Sequence, residues 1–252
     1  MPDPRKLREK GFHDERFSAK AEPRRALDPA YRLMLPANML YHKTVEGFRA
    51  MGRVLEYGCG HGENALVFAR RGLDMTGIDI SEAGVARART EAARVGLPTA
   101  FAQMDAERLG FADNTFAAVI GKGILHHLDI DAAAREIARV LTPAGRAVFI
   151  EPLGHSPLIN WFRKRTLALR TPDEKPLLAS DLRAFSAYFE SAAFTFFNLT
   201  ALGAAPFASK RIFTPLFSLL SQADAWLFRA FPKSARYAWM VFMDLRGPVK
   251  NP

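Results

Sequence analysis

The chain has 252 residues, of which 49% are hydrophobic, which is enough to bury one sizeable core with additions. Its net charge of +9 raises the possibility of nucleic-acid binding, but the basic residues are spread along the chain and form no separate basic domain. The chain has a single cysteine, Cys59, which excludes an internal disulfide. No uncharged apolar stretch is as long as a transmembrane helix, which needs about 18 residues.

Residues 1–30 are polar and carry several basic side chains, which is typical of a flexible or capping arm. The start of the chain is charged and lacks the apolar segment of a secretory signal, which with the single cysteine favours a cytoplasmic protein. The segment Tyr31–Met51 is predicted to be a helix that leads into the first strand. We therefore expect residues 1–51 to form an N-terminal arm and helix that cap a domain spanning 52–252.

The next part of the chain alternates short apolar runs with helical patterns, which is typical of a parallel, doubly wound α/β sheet. Strands are predicted near 53–57, 74–79, 99–104, 116–121 and 145–151. Helices are predicted near 63–72, 82–95 and 130–141.

A glycine-rich turn follows the first strand, where residues 58–62 read Gly-Cys-Gly-His-Gly. Glycines let backbone N–H groups and the next helix N-terminus come close to a ligand. Asp79 ends the second strand, where an acid can accept both hydroxyls of a ribose. The spacing differs from the dinucleotide fingerprint, and the carboxylates of Glu56 and Glu63 would oppose a pyrophosphate. The turn therefore disfavours NAD, whereas Glu56 suits a ligand with a positively charged end.

These segments resemble motif I and the following acidic strand end of class I S-adenosylmethionine-dependent methyltransferases, particularly the small-molecule branch that includes quinone-biosynthesis enzymes. Residues 104–107 resemble the strand end whose acid holds the adenine amino group. Residues 114–128 resemble the fourth strand with its loop, and 137–146 the helix, turn and fifth strand that close the core. The resemblance implies a Rossmann-like, seven-stranded sheet with an antiparallel last strand.

The resemblance also implies S-adenosylmethionine as the cofactor and S-adenosylhomocysteine as the product. Glu56 and the glycines would hold the methionine end, Asp79 the ribose, and 105–107 the adenine side. The predicted cofactor-binding residues are Glu56, Gly58, Cys59, Gly60, Gly62, Asp79, Ile80, Asp105, Ala106, Glu107, Gly121 and Lys122. No metal site is predicted.

The last third of the chain departs from the alternating pattern. Ser180–Phe189 is predicted to be a helix, and Phe194–Thr200 and Tyr237–Leu245 are predicted to be strands. In the resembled family the last two strands form an antiparallel pair at the sheet edge. Between these two strands, the segment Lys210–Pro232 is predicted to be an inserted helical segment.

The predicted insertion carries a broad apolar stripe, with polar residues, Asp224 among them, largely on the other side. Three alternatives remain: packing on the core or on a second copy of the chain, a lid over a hydrophobic substrate, or docking of 210–236 on a membrane surface. The last is favoured by flanking basic residues, which would face anionic headgroups. These residues are Lys210, Arg211, Arg229, Lys233 and Arg236. Residues 153–179 and 203–236 are expected to be substrate-lid insertions, and a homodimer is one possible assembly.

Three side chains at the predicted ligand edge of the sheet are candidates for acid/base or substrate-orienting roles. His127 follows the fourth strand, and Glu151 and His155 follow the fifth. His127 has an alternative role in cofactor-pocket and loop packing. A base is needed only for acceptors that must lose a proton, since positioning alone can supply ~7–11 kcal/mol.

The resemblance implies methyl transfer, by in-line displacement, to oxygen or carbon of a small, lipophilic or aromatic acceptor. Enzymes that methylate base amino groups usually follow the fourth strand with an Asn- or Asp-Pro-Pro-aromatic segment, whereas residues 121–124 read Gly-Lys-Gly-Ile. Nucleic acid is therefore not an expected partner. The alternatives are methylation of RNA or protein, and a non-catalytic cofactor-binding scaffold.

Overall fold

The computed structural model describes residues 3–18, 28–166, 171 and 173–250. Residues 1–2 and 19–27 of the predicted arm lie outside the described residues, as do 167–170 and 172 of the predicted lid at 153–179. The helices are α1 (Pro4–Phe17), α2 (Asp28–Leu33), α3 (Leu35–Glu46), α4 (Glu63–Arg70), α5 (Glu82–Arg94), α6 (Ile130–Val140), α7 (Pro157–Arg165), α8 (Ala179–Ser186) and α9 (Phe213–Ala230). The strands are β1 (Arg53–Tyr57), β2 (Asp74–Asp79), β3 (Ala100–Gln103), β4 (Phe116–Lys122), β5 (Leu141–Pro152), β6 (Phe189–Phe197) and β7 (Met240–Pro248). Short 3-10 helices span Leu125–His127, Thr200–Phe207 and Pro232–Tyr237.

The seven strands of the described residues form one sheet in the order β3-β2-β1-β4-β5-β7-β6. The first five strands are parallel, and β7 is antiparallel to both of its neighbours. Tyr57 at the end of β1 lies between Ile78 of β2 and Gly121 of β4, so these strands end at one edge. The order and directions confirm the predicted doubly wound sheet with its antiparallel last strand.

The core lies on both faces of the sheet. Along β5, Phe149 packs with Tyr57 and α6 on one face, while Val148 packs with Phe68 and α3 on the other. These residues are buried. Helices therefore cover both faces, and only the strand ends remain open for a ligand.

Side-chain caps fix where three of the helices begin. The Asp3 carboxylate accepts the Arg5 N–H at the start of α1, which also has Pro4 in its first turn. Ser81 caps α5, and Asp129 caps α6. Such caps contribute about 1 kcal/mol each.

The structure moves several predicted boundaries. The single helix predicted for Tyr31–Met51 is divided into α2 and α3, because Pro36 in the first turn of α3 has no N–H to continue a preceding helix. Strand β6 begins at Phe189, inside the helix predicted for Ser180–Phe189, since residues 189–197 pair with β7. The predicted strand start at Tyr237 is wrong, because Pro232–Tyr237 forms a 3-10 helix.

Candidate active site

A cleft opens at the edge where β1, β2 and β4 end, as expected for a doubly wound sheet. Most of the predicted cofactor-binding residues line it: Gly58, Cys59, Gly60, Asp79, Ile80, Asp105, Ala106, Glu107 and Lys122. Glu56, Gly62 and Gly121 do not line the cleft and have other roles, given below. Among the predicted catalytic residues, His127 lines the cleft.

The glycine turn connects β1 to α4 and is held by backbone hydrogen bonds. The Cys59 N–H donates to the carbonyl of Ile78 at 2.8 Å, which ties the turn to β2. Gly60 and Gly62 have φ of 52° and 81°, a left-handed conformation that favours glycine. Cys59 is buried, and burial raises the pKa of its thiol well above the usual value. It therefore fits as a small turn residue and is not activated as a thiolate.

Asp79 is fixed at the end of β2 by two backbone N–H groups. Oδ2 accepts the N–H of Gly60 at 2.7 Å, and Oδ1 accepts the N–H of Ser81 at 2.9 Å. The residue is 9% exposed and faces the cleft. Because each carboxylate oxygen has two lone pairs, each retains acceptor capacity for one further donor. The carboxylate is thus held in one orientation and can still accept a pair of hydroxyls.

The predicted contact of Glu56 with the methionine end of the cofactor stays a prediction, and the structure shows which groups its carboxylate contacts within the domain. Glu56 is 2% exposed and lies behind the glycine turn, where Oε2 accepts the N–H of Ala65 at 2.9 Å near the start of α4. Burial raises the pKa of this carboxyl to about 8. Glu56 therefore stabilises the turn from inside the domain and does not border the cleft.

Gly62 and Gly121 are positions of close packing. A Cβ on Gly62 would lie 2.8 Å from the Cβ of Ala88, and one on Gly121 would lie 2.5 Å from the ring of Phe149. Both glycines thus let a helix or a ring approach the backbone. Their contact with the cofactor stays a prediction beside this packing role.

The acids at the predicted adenine side form ion pairs with α1. Lys6 Nζ lies 2.6 Å from Asp105 Oδ2 and 2.7 Å from Glu107 Oε2, and Arg5 also pairs with Glu107. The Asp105 Oδ1 atom accepts the N–H of Glu107. The carbonyl of Ala106 accepts the hydroxyl of Tyr57, which anchors this loop to β1. A ligand amino group at Asp105 would therefore meet a carboxylate already shared with Lys6.

Lys122 brings a cation to the cleft at the end of β4. Its side chain is partly buried, and burial lowers the pKa of its ammonium. The carboxylates of Glu63 and Glu56 act in the opposite direction. From the sequence, Lys122 was expected to border the cofactor through its backbone. In the structure its charged side chain also belongs to the wall of the cleft.

His127 closes the cleft at the 3-10 helix after β4. Its Nδ1 atom lies 3.2 Å from Oε2 of Glu9, a residue of α1. Oε1 of Glu9 accepts the hydroxyl of Thr171 at 2.5 Å. The imidazole is thus near both the cleft and a buried carboxylate.

Glu151 is buried and holds the loop after β4. It is 0% exposed and is not among the residues that line the cleft. Its Oε1 atom accepts the N–H groups of Ile124 and Leu125 at 2.9 Å each, and Oε2 lies 2.7 Å from Nδ1 of His126. Glu151 therefore fixes the loop that carries His127, and its acid/base role stays a prediction.

The predicted site role of His155 likewise stays a prediction, and in the structure its side chain contacts the start of a helix. Its Nε2 atom accepts the N–H of Ala179 at 3.2 Å, at the start of α8. It does not line the cleft. Proximity in sequence to the end of β5 suggested a site role, but the chain turns away after Pro152.

The cover of the cleft is α1, which sequence reasoning did not assign to a helix. Lys6, Glu9, His13 and Phe17 line the cleft from above, and the Phe17 ring lies against Gly60. Among the residues that line the cleft, none comes from the predicted lids at 153–179 and 203–236. The sequence does contain signals for this helix. Asp3-Pro4 is a typical helix start, and the four residues of α1 named above are spaced three or four apart.

The predicted insertion is a helix, α9, that lies on the 3-10 helix Thr200–Phe207 and away from the cleft. Asp224, predicted on the side opposite the apolar stripe, faces inward, and its carboxylate accepts the N–H groups of Leu199, Thr200 and Ala201. Most of the apolar stripe is only partly covered, and Leu219 and Trp226 are 64% and 62% exposed. No helix in the described parts of the chain has both the length and the apolar character needed to cross a membrane.

Comparison of the sequence with known proteins finds similarity to methyltransferases. Residues 55–149 match the sequence model of a family described as a methyltransferase domain. The chain is 36% identical over 128 residues to a fatty-acid O-methyltransferase of Mycolicibacterium smegmatis, a match that covers 49% of this chain and 46% of that protein. It is 37% identical over 99 residues to a ubiquinone biosynthesis O-methyltransferase of Alkalilimnicola ehrlichii, with 38% and 40% covered. The matches span less than half the length of either relative.

A solved structure matches a larger part of the chain. The [4+2]-cyclase SpnF is 26% identical, with a TM-score of 0.57, over 84% of this chain and 81% of that chain. The predicted resemblance to class I methyltransferases is thus confirmed in sequence and in fold.

Proposed function

We propose that this chain, whose residues 55–149 form a class I S-adenosylmethionine-dependent methyltransferase domain, transfers a methyl group from S-adenosylmethionine to a small, lipophilic or aromatic acceptor. The observation that carries the proposal is Asp79, held by the N–H groups of Gly60 and Ser81 at the open edge of the sheet. The names of the two relatives, a fatty-acid and a ubiquinone biosynthesis O-methyltransferase, support an oxygen acceptor on a lipophilic molecule.

The residues around the cleft fit this cofactor. Asp79 retains one acceptor position on each oxygen, which matches the two hydroxyls of a ribose. The glycine turn leaves the backbone open beside it, and Asp105 lies at the next strand end along the sheet. When bound, S-adenosylmethionine supplies a methyl group already activated by the sulfonium charge.

The chain's own part in the reaction is to align the two reactants and exclude water. The cover α1 closes the cleft from above, and its residues Phe17 and His13 face the same space as His127. Positioning of this kind can supply ~7–11 kcal/mol. A general base would add about 10²–10⁴-fold for a phenol or a ring carbon, and His127 is the imidazole of the loop after β4 that faces the cleft.

The exposed apolar residues of α9 and its flanks support contact with an anionic membrane surface. We call the apolar patch the set Ile212, Leu219, Trp226 and Phe231, each more than half exposed. Exposed basic residues flank the patch: Lys210, Arg211, Arg229, Lys233 and Arg236. This combination of apolar side chains and cations suits lipid headgroups, and it would bring the enzyme to a lipophilic acceptor. A second copy of the chain is the competing occupant.

Transfer of labelled methyl from S-adenosylmethionine into a lysate of the source cells tests the reaction. Label should enter the lipid-soluble fraction and should be lost with Asp79→Ala. Label in RNA or protein would overturn the small-molecule acceptor. Binding of S-adenosylhomocysteine without label in any fraction would favour a non-catalytic scaffold, or another use of the site such as that of the [4+2]-cyclase SpnF.

A further inference from the structure

Three potential metal ligands meet at the wall of the cleft formed by α1 and the loop after β4. Glu9 and His13 lie one turn apart on the same face of α1, and His127 ends the 3-10 helix that follows β4. All three side chains line the cleft. The two elements are far apart in sequence, so only the folded chain brings these atoms together.

The distances fit a metal ion. Glu9 Oε2 lies 3.2 Å from His127 Nδ1 and 3.5 Å from His13 Nε2, and the three atoms lie within 4.8 Å of one another. A tetrahedral Zn²⁺ site with bonds of about 2.0–2.1 Å separates its ligand atoms by about 3.3–3.4 Å. One oxygen and two imidazole nitrogens can therefore reach a common ion with little movement of the backbone.

The Glu9 carboxylate has a buried oxygen that lacks a hydrogen-bond donor. Oε2 is buried, and neither imidazole is aligned to donate to it. A buried carboxylate oxygen without a donor is costly, and a bound cation is one way to satisfy it.

The other oxygen of Glu9 holds the carboxylate in one orientation. Oε1 accepts the hydroxyl of Thr171 at 2.5 Å, which turns Oε2 toward the histidines. Outer hydrogen bonds of this type orient metal ligands in proteins. The nearby cations of α1 are engaged elsewhere, since Lys6 pairs with Asp105 and Arg8 with Asp173.

We propose that Glu9, His13 and His127 bind one divalent transition-metal ion of the Zn²⁺ type. Two imidazoles and one carboxylate suit such an ion better than Mg²⁺ or Ca²⁺, which prefer oxygen ligands. Three protein ligands leave one position of a tetrahedral ion open, as in catalytic zinc sites, and this position would face the cleft.

A second set of ligand atoms, from His126, His127 and Glu174, is less suited to an ion. His126 already uses Nδ1 in its contact with Glu151, and Glu174 Oε1 is 2.7 Å from an Arg163 nitrogen. The Glu9 set is therefore the one we assign.

The open position would suit an oxygen ligand, such as a carboxylate or a hydroxyl of the acceptor. An acceptor hydroxyl bound there would lose its proton to water more readily, since a Lewis acid stabilises the anion. This consequence rests on the proposed methyl transfer, whereas binding of the ion does not.

Titration of the tag-free full chain with Co²⁺, followed by its visible absorption, tests the site, because tetrahedral Co²⁺ absorbs far more strongly than the hydrated ion. We expect one ion per chain, displaced by Zn²⁺. Glu9→Gln and His13→Ala should each weaken binding by more than ~100-fold, and Thr171→Val by about 10–100-fold. His42→Gln, which alters a histidine of α3 outside the cleft, should bind as the unaltered chain does.

Equal binding by the unaltered chain, Glu9→Gln and His13→Ala would overturn the proposal, as would loss of binding in Glu174→Gln. Thermal unfolding in the presence of a chelator checks that the variants fold, and Zn²⁺ should raise the unfolding temperature of the unaltered chain and of His42→Gln but not that of Glu9→Gln or His13→Ala. S-adenosylhomocysteine titrated under the same chelated conditions separates the two proposals. If that ligand fails to bind while Co²⁺ binds, the methyltransferase function fails and the metal site stands.

Discussion

The floor and the cover of the cleft are held by different interactions. The floor, residues 56–62 with Asp79, is tied together by backbone N–H groups that donate to carbonyls and to the buried carboxylates of Asp79 and Glu56. The cover, α1, is held largely by ion pairs of partly exposed side chains, such as Lys6 with Asp105. Partly exposed pairs contribute about 0–1 kcal/mol each, so we expect the cover to detach before the domain unfolds. The difference indicates a preformed cofactor site under a separable helix.

The largest expected effect concerns the buried acid of the floor. Because the pKa of Glu56 is raised to about 8 in the folded chain, the folded state holds its proton more tightly than the unfolded state. Its contribution to stability is complete below the unfolded pKa of about 4.5 and is lost as the pH rises toward 8. The slope is about 1.4 kcal/mol for each pH unit in that window. Glu56→Gln should remove it, so the variant gains stability relative to the unaltered chain as the pH rises.

Urea unfolding at several pH values between 4.5 and 8 measures this difference. Glu91→Gln is the control, since Glu91 lies on the surface of α5. Because Glu56 does not border the cleft, Glu56→Gln should also bind S-adenosylhomocysteine within about twofold of the unaltered chain. A loss of more than tenfold would restore the direct role that the sequence suggested for Glu56.

The next effect is on ligand binding to the floor. Asp79→Ala removes the acceptor of two ribose hydroxyls, and loss of a charged hydrogen-bonded contact should cost at least ~1.5 kcal/mol, more than tenfold in affinity. Calorimetric titration with S-adenosylhomocysteine checks the value. Asp74→Ala is a matched control, because Asp74 is exposed at the other end of the same strand.

Since Asp79 also orients Gly60 and Ser81, Asp79→Asn provides a variant that keeps one carbonyl acceptor. It should fold as the unaltered chain does and bind with intermediate affinity. Affinities within twofold for both variants would show that the ligand lies elsewhere.

The floor could be predicted from the sequence because its features are local. Each feature is recognisable from a short stretch of sequence: an apolar strand, alternating glycines, and an acid at the end of the next strand. Together they correctly predict that Asp79 and residues 58–60 lie at the cleft. The contact of Glu56 could not be read from the sequence, because the side of the turn that an acid faces depends on the N–H of Ala65 in the following helix. The contacts of Glu151 could not be read either, since its partners lie some 25 residues away in the loop of His126.

For the cover, the sequence predicted a flexible or capping arm but not a helix over this cleft. The Asp3-Pro4 start and the helical spacing indicate a helix but not where it docks, because the first 18 residues are mostly polar and the acids that hold the helix lie about 100 residues further on. The role of α9 was equally hidden, because its apolar stripe does not say whether the domain, a second copy or a membrane covers it. Asp224 shows the difficulty, since its carboxylate turns inward to bind the N–H groups of residues 199–201.

A smaller effect is expected at the cover. Lys6→Ala removes the cation shared by Asp105 and Glu107, which should lower the stability of the domain by less than about 1 kcal/mol. Proteolysis of residues 3–18 should nevertheless become faster, and more so at high salt, which screens the pairs that remain. Arg94→Ala removes a surface pair on α5 and should leave that rate unchanged. A large loss of global stability in Lys6→Ala would show that the cover and the floor fold as one unit.

The smallest effect on stability is expected at the apolar patch. Trp226 is 62% exposed, so Trp226→Ser should change the free energy of unfolding by no more than about 0.5 kcal/mol. The same change should weaken co-sedimentation with vesicles that contain phosphatidylglycerol. Phe228→Ser is the contrasting variant, because Phe228 packs against the core and its loss should destabilise the fold. A shift from dimer to monomer, with vesicle binding unchanged, would assign the patch to a second copy of the chain.

Hydrogen exchange with and without S-adenosylhomocysteine tests the central claim most directly, because it reports on the floor and the cover in one experiment. The account predicts slower exchange at residues 58–62 and at Asp79–Ser81 when the ligand is bound, with slower exchange along α1 as well. It also predicts that, without ligand, α1 exchanges faster than β1 and β2. No ligand-induced protection of the glycine turn would contradict the assignment of this cleft as the cofactor site.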